Sequence, residues 1–332
     1  MDTLLLIAAV VVLALSFDFI NGFHDTANAI ATSVSTRAMS PRTAVLLAAV
    51  LNFVGALTFT GVAKSIGGKV ADPASIENGM YIIVATLIAA IAWNLITWWY
   101  GIPSSSSHAL IGSMAGAVVA AAGFSGINLG GFASIIMGLV FSPIIAFAVG
   151  FVVMKCVFKI FADFSPHRLN RNFRRMQILT ACFQAFTHGT NDAQKAMGVI
   201  TFALVAGGLQ SELEVPLWVK MAAATAMGLG TAIGGWKIIK TMGTKIFKIE
   251  PANGVSADLT SASVILGATV TGFPVSTTHV VTSAILGVGA AKRFRDVKWG
   301  VAGKIVATWF ITIPVSALLA GVVYAIIDFL FL

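Results

Sequence analysis

Charged residues are scarce in this chain, since Asp, Glu, Lys and Arg make up 10% of its 332 residues. A soluble domain carries about 25% charged residues, so this chain cannot cover a surface that faces water. Instead, 58% of the residues are hydrophobic. Runs of about 20 apolar residues follow one another, each long enough to cross a bilayer core. The sequence therefore predicts an all-α fold, that of a polytopic helical membrane protein.

Cysteine and acidic residues are also few. The two cysteines, Cys156 and Cys182, lie in or beside apolar segments at no metal-ligand spacing, so we interpret them as packing residues. Thirteen acidic residues face 21 basic ones, which gives a net charge of +8. The basic residues cluster in the loops between apolar segments, as the positive-inside rule describes, so the charge does not predict a nucleic-acid partner.

Two motifs occur twice in the chain, in the same order and at nearly the same separation. The segment NGFHDTANAIA resembles the later segment HGTNDAQKAMG, and their alignment places Asp25 on Asp192. The segment GIPSSSSHAL likewise resembles GFPVSTTHVV, which places His108 on His279. Chance could produce either pair alone but not both in register. We infer a duplication with a first repeat at 1–160, a basic linker at 161–175 and a second repeat at 176–332.

Each repeat holds about five candidate membrane segments, and some of these are expected to be broken or re-entrant helices. They are 3–22, 43–63, 80–100, 103–123 and 131–154 in the first repeat, and 177–207, 216–237, 256–272, 274–291 and 299–327 in the second. Because five is odd, the second repeat must run through the membrane upside down relative to the first. A cytoplasmic linker would place most basic residues in the cytoplasm and both termini outside. Inverted repeats are typical of secondary transporters, whose site lies at the midplane between the repeats.

Acidic residues inside the apolar segments need an explanation, because a charge at mid-membrane costs about 2.5–3.5 kcal/mol or more. Asp25 and Asp192 occupy corresponding positions in the two repeats. Gly22 and Gly189 precede them and are expected to break the helices, which would free backbone carbonyls. Carbonyls and carboxylates together make a hard-oxygen site for a small cation. The alternative is that each Asp pairs with a lysine or caps a broken helix.

The two hydroxyl-rich segments GIPSSSSHAL and GFPVSTTHVV, the hydroxyl phrases of this chain, each predict a helix N-terminus inside the membrane. Pro103 and Pro274 suit a first helical turn, and the hydroxyls beside them can cap it. Two such ends from inverted repeats would form an anion site without an arginine. The alternative is that Ser and Thr join packed helices. The candidate anion-binding hydroxyls are Ser105, Ser106, Ser107, Ser276, Thr277 and Thr278.

Other polar residues surround these motifs. His24, His108 and His279 are either structural supports or a proton relay. Lys195 either neutralises Asp192 or contacts the anion, and Asp258 is either a helix-start residue or part of the site. Asp18 lies one helical turn before Gly22 and is expected to support the site from outside. The remaining neighbours are Asn21, Asn28, Asn191 and Gln194.

These motifs resemble those of the inorganic phosphate transporter (PiT) family, in particular its bacterial low-affinity branch. The family repeats a motif similar to G-A-N-D-x-A-N-A, which here reads GFHDTANA and GTNDAQKA. The positions at which the copies depart from it include Phe23, His24, Gln194 and Lys195. The hydroxyl phrases also match, as P-x-S-S-S-H and P-V-S-T-T-H, and the resemblance spans nearly the whole chain.

The resemblance implies a symporter of inorganic phosphate with Na⁺ or H⁺, a site reached alternately from each side as the halves rock, and a homodimer in a lipid membrane. Asp25 and Asp192 would hold the cation, Na⁺ if the carrier is sodium-coupled, with Asp258 in a coupling role. Some relatives carry an acid where this chain has Asn52. The six hydroxyls would bind phosphate with Asn28 and Gln194, while Asn21 and Asn191 would line the cation site.

The resemblance implies no cofactor and no catalytic residue, although phosphate could travel as a divalent metal complex. Two other functions are open at the level of sequence. A sulfate permease would use a similar oxyanion site. An intramembrane hydrolase would use a set such as Ser106, His108 and Asp25, but a nucleophile needs no duplicate, which argues against an enzyme.

Overall fold

The computed structural model describes residues 3–70 and 78–332, and these residues form helices and short connections without a β-strand. The helices are α1 (Thr3–Ser35), α2 (Pro41–Ala56), α3 (Gly61–Lys69), α4 (Gly79–Tyr100), α5 (Ser106–Ala122), α6 (Leu129–Ile160), α7 (Pro166–Ala206), α8 (Leu217–Ile233), α9 (Trp236–Lys240), α10 (Pro251–Val270), α11 (Thr277–Lys292) and α12 (Trp299–Phe331). The prediction of an all-α membrane protein is confirmed.

Four of the described helices, α1, α4, α6 and α12, are long and apolar enough to cross a membrane. A fifth candidate is the broken pair of α8 and α9, which continues through the π-helical turn Thr241–Lys245 and bends by 62°. The bend follows Gly234, whose φ of 77° favours a residue without a Cβ. Helix α7 has 41 residues, but its basic start and polar motif lower its mean hydropathy.

Helices α1 and α7 cross antiparallel, as an inverted repeat requires. Asn21 contacts Asp192, the backbone of Asn28 contacts Gln184, and Thr36 contacts Gln177, so the two chains run in opposite directions along the contact. The alignment of the two sequence repeats pairs the same two helices, because it matches Asp25 of α1 with Asp192 of α7. The duplicated motifs therefore face one another across this crossing.

The predicted breaks at Gly22 and Gly189 are wrong, because α1 and α7 continue through both glycines. A Cβ at Gly22 would collide with the carbonyl of Met227 on α8, and one at Gly189 with the backbone of Asn52 on α2. Both glycines therefore let a neighbouring helix approach closely. A single sequence shows the glycine but not the helix that packs against it.

The predicted segments 80–100 and 103–123 form two arms of one hairpin rather than two crossings. Helix α4 starts beside the beginning of α1, because Tyr81 packs in one cluster with Leu6. It runs parallel to α1 as far as Thr97, which contacts His24. Helix α5 then returns, and Val118 near its end joins the same cluster. The hairpin therefore enters and leaves on the side where α1 begins.

The second repeat contains the inverted hairpin. Helix α10 starts beside α7, where Gly254 lies against Gln177, and it reaches the level of Asn191 at Thr269. Helix α11 returns to the side where α10 began, because Met154 of α6 contacts Asn253 near the start of α10 and shares a cluster with Ala291 near the end of α11. The predicted segments 256–272 and 274–291 are thus also arms of a hairpin. The tips of the two hairpins meet in the middle of the molecule.

The last helix of each repeat packs on the hairpin of the other repeat. Helix α12 lies along α5, and α6 lies along α11. Gly116 on α5 approaches the backbone of Ala317 so closely that a Cβ would not fit, and Gly287 on α11 approaches Phe147 in the same way. The repeats are therefore interleaved. The resemblance implied halves that rock against each other, but interleaved repeats cannot move as two separate bodies.

The segment predicted as a basic linker, 161–175, is mostly helical, because α7 already begins at Pro166. Arg171, Arg174 and Arg175 are exposed on this first part of α7. At the far end of the chain, Tyr324 of α12 joins the cluster of Leu6, so the described ends of the chain lie on one side of the molecule.

Replacing Gly189 by Ala should lower the stability of the purified protein, because the methyl group would collide with the backbone of Asn52. Overpacking costs about 1–3 kcal/mol, and a collision with backbone atoms falls in the upper part of that range, above the ~1 kcal/mol that Ala gains over Gly inside a helix. We expect a melting temperature several degrees below that of the wild type. Gly267→Ala on α10, where the added methyl group meets open space, is the matched control. Equal melting temperatures for both variants would contradict this packing.

Candidate functional site

The two motif carboxylates lie together at the crossing of α1 and α7. Asp25 is 1% exposed and Asp192 is fully buried. The N-termini of α5 and α11 approach the same place, since each hairpin turns there. The predicted convergence of acids and hydroxyls is therefore present in the structure.

Asp25 contacts side chains from both hairpins. One carboxylate oxygen lies 2.5 Å from Nδ1 of His24. The other accepts hydrogen bonds from Oγ1 of Thr278 at 3.3 Å and from Oγ of Ser106 at 3.5 Å. His24 is held on its far side by Thr97, whose Oγ1 lies 3.0 Å from Nε2. The carboxylate thus joins the tips of both hairpins to α1.

Asp192 is surrounded by donors. Nζ of Lys195 lies 2.8 Å from one carboxylate oxygen, and Oγ1 of Thr277 lies 3.2 Å from both oxygens. The second oxygen accepts from Nδ2 of Asn21 at 3.2 Å and lies 3.4 Å from Nε2 of His188. These contacts offset the cost of burying the carboxylate.

Lys195 connects the two repeats. Its Nζ donates to Oγ of Ser106 at 2.9 Å as well as to Asp192. The side chain is 1% exposed, so its charge depends on these partners. The geometry favours the interpretation that Lys195 neutralises Asp192, while the same amine also reaches a hydroxyl of the first phrase.

The hydroxyl phrases start helices as predicted. Ser105 is the N-cap of α5 and accepts from the backbone N–H of His108 at 3.1 Å; Ser276 is the N-cap of α11 and accepts from that of His279 at 3.2 Å. The prolines do not lie in the first helical turns. Pro103 precedes the cap by two residues, as does Pro274 in the other repeat, so they belong to the extended turns before the helices.

The six predicted hydroxyls divide into two groups. Ser106, Thr277 and Thr278 face the carboxylates. Ser105 and Ser276 cap helices, and Oγ of Ser107 donates to the carbonyl of Val275 at 2.9 Å, which ties the hairpin tips together. The sequence does not separate these groups, because neighbouring residues of a first helical turn point in different directions.

The amides predicted near the site have different surroundings. Nδ2 of Asn28 donates to Thr278 at 3.0 Å, which keeps Asn28 at the site. Asn191 donates to Thr269 at the end of α10. Gln194 accepts from the backbone N–H groups of Val62 and Ala63 and so binds the start of α3 rather than the carboxylates. The structure therefore gives no support to an anion contact by Gln194.

Asp258 has hydrogen-bond partners other than those of the central carboxylates. It accepts from Oγ1 of Thr32 at 2.6 Å and from Oγ1 of Thr180 at 3.3 Å, between α1, α7 and α10. It sits well inside α10, whose N-cap is Glu250, so the helix-start interpretation of Asp258 is wrong.

The two motif histidines lie in contact, with their ring planes tilted by 44°, near the meeting point of the hairpins. The ring centroids of His108 and His279 are 4.4 Å apart, and His279 stacks on Trp309 at 4.0 Å. Nδ1 of His108 lies 2.9 Å from Oγ of Ser105. The hydrolase hypothesis needed His108 on Ser106, whereas the ring contacts the capping serine instead.

His188 was missed as a candidate ligand. Asp25, His188 and Asp192 each offer one ligand atom, and these atoms lie within 4.8 Å of one another. Nδ1 of His188 also lies 3.1 Å from Oδ1 of Asn52, which orients the ring. The alignment of the two repeats could have indicated His188, because it pairs His188 with Asn21, which the resemblance assigns to the cation site.

The formal charges of this site do not cancel. With neutral imidazoles, the two carboxylates outnumber the single ammonium of Lys195 by one negative charge. A further anion brought beside them would be repelled in an environment of low dielectric constant. An anion can therefore occupy the site favourably only with additional positive charge, as protons or as a metal cation.

Comparisons with known proteins agree with this geometry. A model described as "Phosphate transporter family" matches residues 21–166 and 161–320. A protein of Bacillus subtilis (strain 168) named "Probable low-affinity inorganic phosphate transporter" is 60% identical over 333 residues, covering 100% of both chains. A protein of the same name from Rhizobium meliloti (strain 1021) is 44% identical over 325 residues, 97% of each chain.

A solved structure is also similar. It is named "The sodium-dependent phosphate transporter" and has a TM-score of 0.88 and 25% sequence identity, covering 98% of this chain and 100% of that chain. The arrangement of helices is therefore shared over nearly the full length.

Replacing Ser105 by Ala should destabilise the protein, because the α5 N-terminus would lose the acceptor for the N–H of His108. Loss of an N-cap costs about 1 kcal/mol. Ser105→Thr keeps a capping hydroxyl and is the matched control. We expect a lower melting temperature for the alanine variant and a value near wild type for threonine. A loss of the same size in both variants would show that the cap is not the cause.

Proposed function

Because this chain belongs to the phosphate transporter family, we propose that it imports inorganic phosphate across the cytoplasmic membrane by symport with a cation. It is a multi-pass membrane protein and a transporter rather than an enzyme. Family membership alone does not give the direction of transport, the coupling to Na⁺ or H⁺ or the residues of the site, and these are the parts that we propose.

The observation that carries the proposal is the convergence of two inverted helix N-termini on two carboxylates. Ser106 and Thr278 donate to Asp25, and Thr277 donates to Asp192. Hydroxyls and free N–H groups at helix N-termini are neutral donors suited to a tetrahedral oxyanion. They can bind phosphate and still release it on the other side.

Coupling follows from competition for these donors. In the present arrangement the hydroxyls donate to the carboxylates. A cation bound to Asp25 and Asp192 would replace them as the partner of the carboxylates and free the hydroxyls for phosphate. The cation would also offset the repulsion between the acids and the anion. Binding of one ion thus favours binding of the other, which is the thermodynamic requirement for symport.

The carboxylates of Asp25 and Asp192 with Nε2 of His188 are the candidate ligands of that cation. The oxygens suit Na⁺, and the imidazole gives protons a place to bind. The name of the similar solved structure supports sodium. A divalent metal could also enter with phosphate as a complex, since carboxylates and imidazole bind such metals.

Alternating access requires the site to open to each side in turn. The two hairpins reach the site from opposite sides and end in the extended turns that precede α5 and α11. We propose that movement of these hairpins with their partner helices α12 and α6 opens the site. The loaded site must favour the occluded state for the transport cycle to proceed.

The sulfate permease is the less favoured alternative. Sulfate remains a dianion near neutral pH, whereas phosphate can donate a proton. A buried carboxylate beside the anion therefore favours phosphate, because it can accept a hydrogen bond from a protonated phosphate oxygen. Asp25 and Asp192 would hold that position, because hydroxyls of both hairpin tips already donate to them.

Uptake of labelled phosphate into liposomes tests the proposal. Asp25→Asn and Asp192→Asn should each reduce uptake at least about tenfold, since a loss of ~1.4 kcal/mol in ion binding has that effect. Asp296→Asn, at an exposed position in a turn, is the matched control.

Imposed sodium and pH gradients should identify the driving ion. Unlabelled phosphate should compete with the label and sulfate should not. Unchanged uptake by Asp25→Asn would overturn the proposal.

The proposed orientation places both termini outside and the start of α7 in the cytoplasm, where its exposed arginines satisfy the positive-inside rule. Asp163, between α6 and α7, and Ser125, between α5 and α6, are exposed positions near opposite ends of α6. In a Cys156→Ser, Cys182→Ser background, Ser125→Cys should react with a membrane-impermeant maleimide added to intact cells. Asp163→Cys should react after the cells are opened. The reverse pattern would invert the orientation.

The remaining expectations concern partners. We propose that the protein works as a homodimer among membrane lipids, binds no cofactor and binds no nucleic acid. The homodimer is checked by the mass of the detergent-solubilised complex, and a monomer mass would remove it from the proposal.

A further inference from the structure

A groove that the proposed site does not use lies between α6 and α12, the two helices that pack on opposite hairpins. Its volume is about 590 Å³, within the range of about 300–1,000 Å³ that is usual for ligand pockets. The hairpin helix α11 closes it from inside through Ser283 and Leu286. The groove is therefore large enough to hold part of a ligand.

The side chains that line the groove are mostly apolar, and some of them are exposed. Val140 and Ile144 on α6 and Phe310 on α12 are exposed side chains of this lining. The polar side chains of His108 and Ser283 also line it, but these residues are each only 5% exposed. Both α6 and α12 are long and apolar enough to cross the membrane, so the open side of the groove faces lipid. A hydrocarbon chain suits such a surface.

One end of the groove lies where α6 approaches the end of α11 and α12 begins. The groove extends along α6 as far as Phe147 and along α12 from Trp299. Phe147 packs against Gly287 of α11, and Val297, two residues before Trp299, packs against Gly289. Phe147 and Trp299 therefore lie at the same end of the groove. In the proposed orientation this end faces the cytoplasm.

An aromatic pair marks this end of the groove. The ring centroids of Phe294 and Trp299 are 4.5 Å apart, and both side chains are exposed. The indole N–H of Trp299 donates to the carbonyl of Phe294 at 2.9 Å, which holds the turn before α12 against the helix. Tryptophan is enriched at the level of lipid headgroups. A lipid whose chain fills the groove would therefore place its phosphate at this end.

The end of α6 brings a lysine to the same place. Nζ of Lys155 lies 5.5 Å from the ring centroid of Phe151. Phe151 follows Phe147 by one helical turn and lies on the same face of α6. The ammonium of Lys155, an exposed residue, therefore lies close to the end of the groove.

The turn between α11 and α12 adds more positive charge. It holds three basic residues and one acid, so its net charge is +2. The ion pair of Lys292 with Glu250 beside it adds no net charge. The exposed charged residues of the turn are Arg293, Arg295, Asp296 and Lys298. An apolar groove thus ends in a basic region at the membrane surface.

We propose that this groove binds an anionic membrane phospholipid, with an acyl chain between α6 and α12 and the headgroup phosphate near Lys155 and Lys298. The chain matches the apolar lining, and the negative charge of the headgroup matches the basic end. A zwitterionic lipid would match the lining but not the charge. The apolar surface of a second copy of this chain would likewise leave the basic end without a counterion.

The lipid would connect helices that belong to different repeats. Helix α6 packs on α11, and α12 packs on α5. A lipid that fills the space between α6 and α12 stabilises their present separation, and with it the present arrangement of both hairpins. Lipid binding here does not depend on phosphate transport, but an effect of the lipid on transport rests on the proposed function.

Thermal stabilisation of the detergent-solubilised protein tests the lipid site. Phosphatidylglycerol and phosphatidylcholine with identical acyl chains are titrated separately, without inorganic phosphate, and phosphatidylglycerol should raise the melting temperature at lower concentration. Lys155→Gln combined with Lys298→Gln should weaken the apparent affinity for phosphatidylglycerol at least about tenfold, a change that corresponds to ~1.4 kcal/mol. The response to phosphatidylcholine should stay unchanged. Arg171→Gln combined with Lys240→Gln removes the same charge from exposed positions on α7 and α9 and is the matched control.

A variant that fills the groove tests the position of the acyl chain. Val140→Trp places a large ring in the groove and should weaken stabilisation by phosphatidylglycerol while every basic residue is kept. Val149→Trp is the matched control. It places the same ring at an exposed position on the opposite face of α6, since a helical turn takes about 3.6 residues.

Several outcomes would overturn the lipid site. They are equal stabilisation by both lipids, an unchanged affinity for phosphatidylglycerol in the lysine double variant, and equal effects of Val140→Trp and Val149→Trp. A lysine-dependent response to inorganic phosphate alone would assign the basic end to the free anion instead. A change in the mass of the solubilised complex with Val140→Trp would make the groove an interface between two copies. Failure of the uptake experiment with an intact lysine-dependent lipid response would contradict phosphate symport and leave the lipid site standing.

Discussion

The contact on which the rest of the structure depends is the antiparallel crossing of α1 and α7. It places Asp25 beside Asp192 where neither is exposed to solvent. Such burial is tolerable only because Lys195, imidazoles and hydroxyls from both hairpin tips surround the carboxylates. The glycines in both motifs support this crossing, since they let α8 and α2 pack tightly behind it. Helix packing and charge compensation are therefore satisfied by the same short segments.

Much of this arrangement is legible in the sequence, because its signals are local. Scarce charge predicted the membrane, repeated motifs predicted the inverted topology, and the serine and threonine runs predicted the starts of α5 and α11. Residue roles that depend on a distant partner were not predictable. Gly189 was expected to break a helix, but its surroundings include Asn52 of α2. Gln194 was expected at the anion, but it binds the start of α3.

The same reason explains why His188 was missed and why the sequence did not indicate which segments turn back. His188 becomes a candidate ligand only when α1 brings Asp25 to it across the repeat boundary. Segments 80–100 and 103–123 are each long and apolar, and length cannot tell an arm that turns back from one that continues. The direction of α5 is fixed by its packing along α12, which lies in the other repeat. Local sequence patterns thus predict where helices form, whereas long-range packing determines their direction and the roles of their residues.

The exchange of final helices between the repeats has a consequence for biosynthesis. Helix α5 emerges from the ribosome well before its packing partner α12, which is the seventh helix after it in the chain. The first hairpin must therefore wait in the membrane, with its close-packing glycine face uncovered, until α12 has been made. Helix α6 waits a shorter time for α11. The first half of the chain thus depends on the second for its completion, and a truncated nascent chain would present an unfinished surface to the quality-control proteases of the membrane.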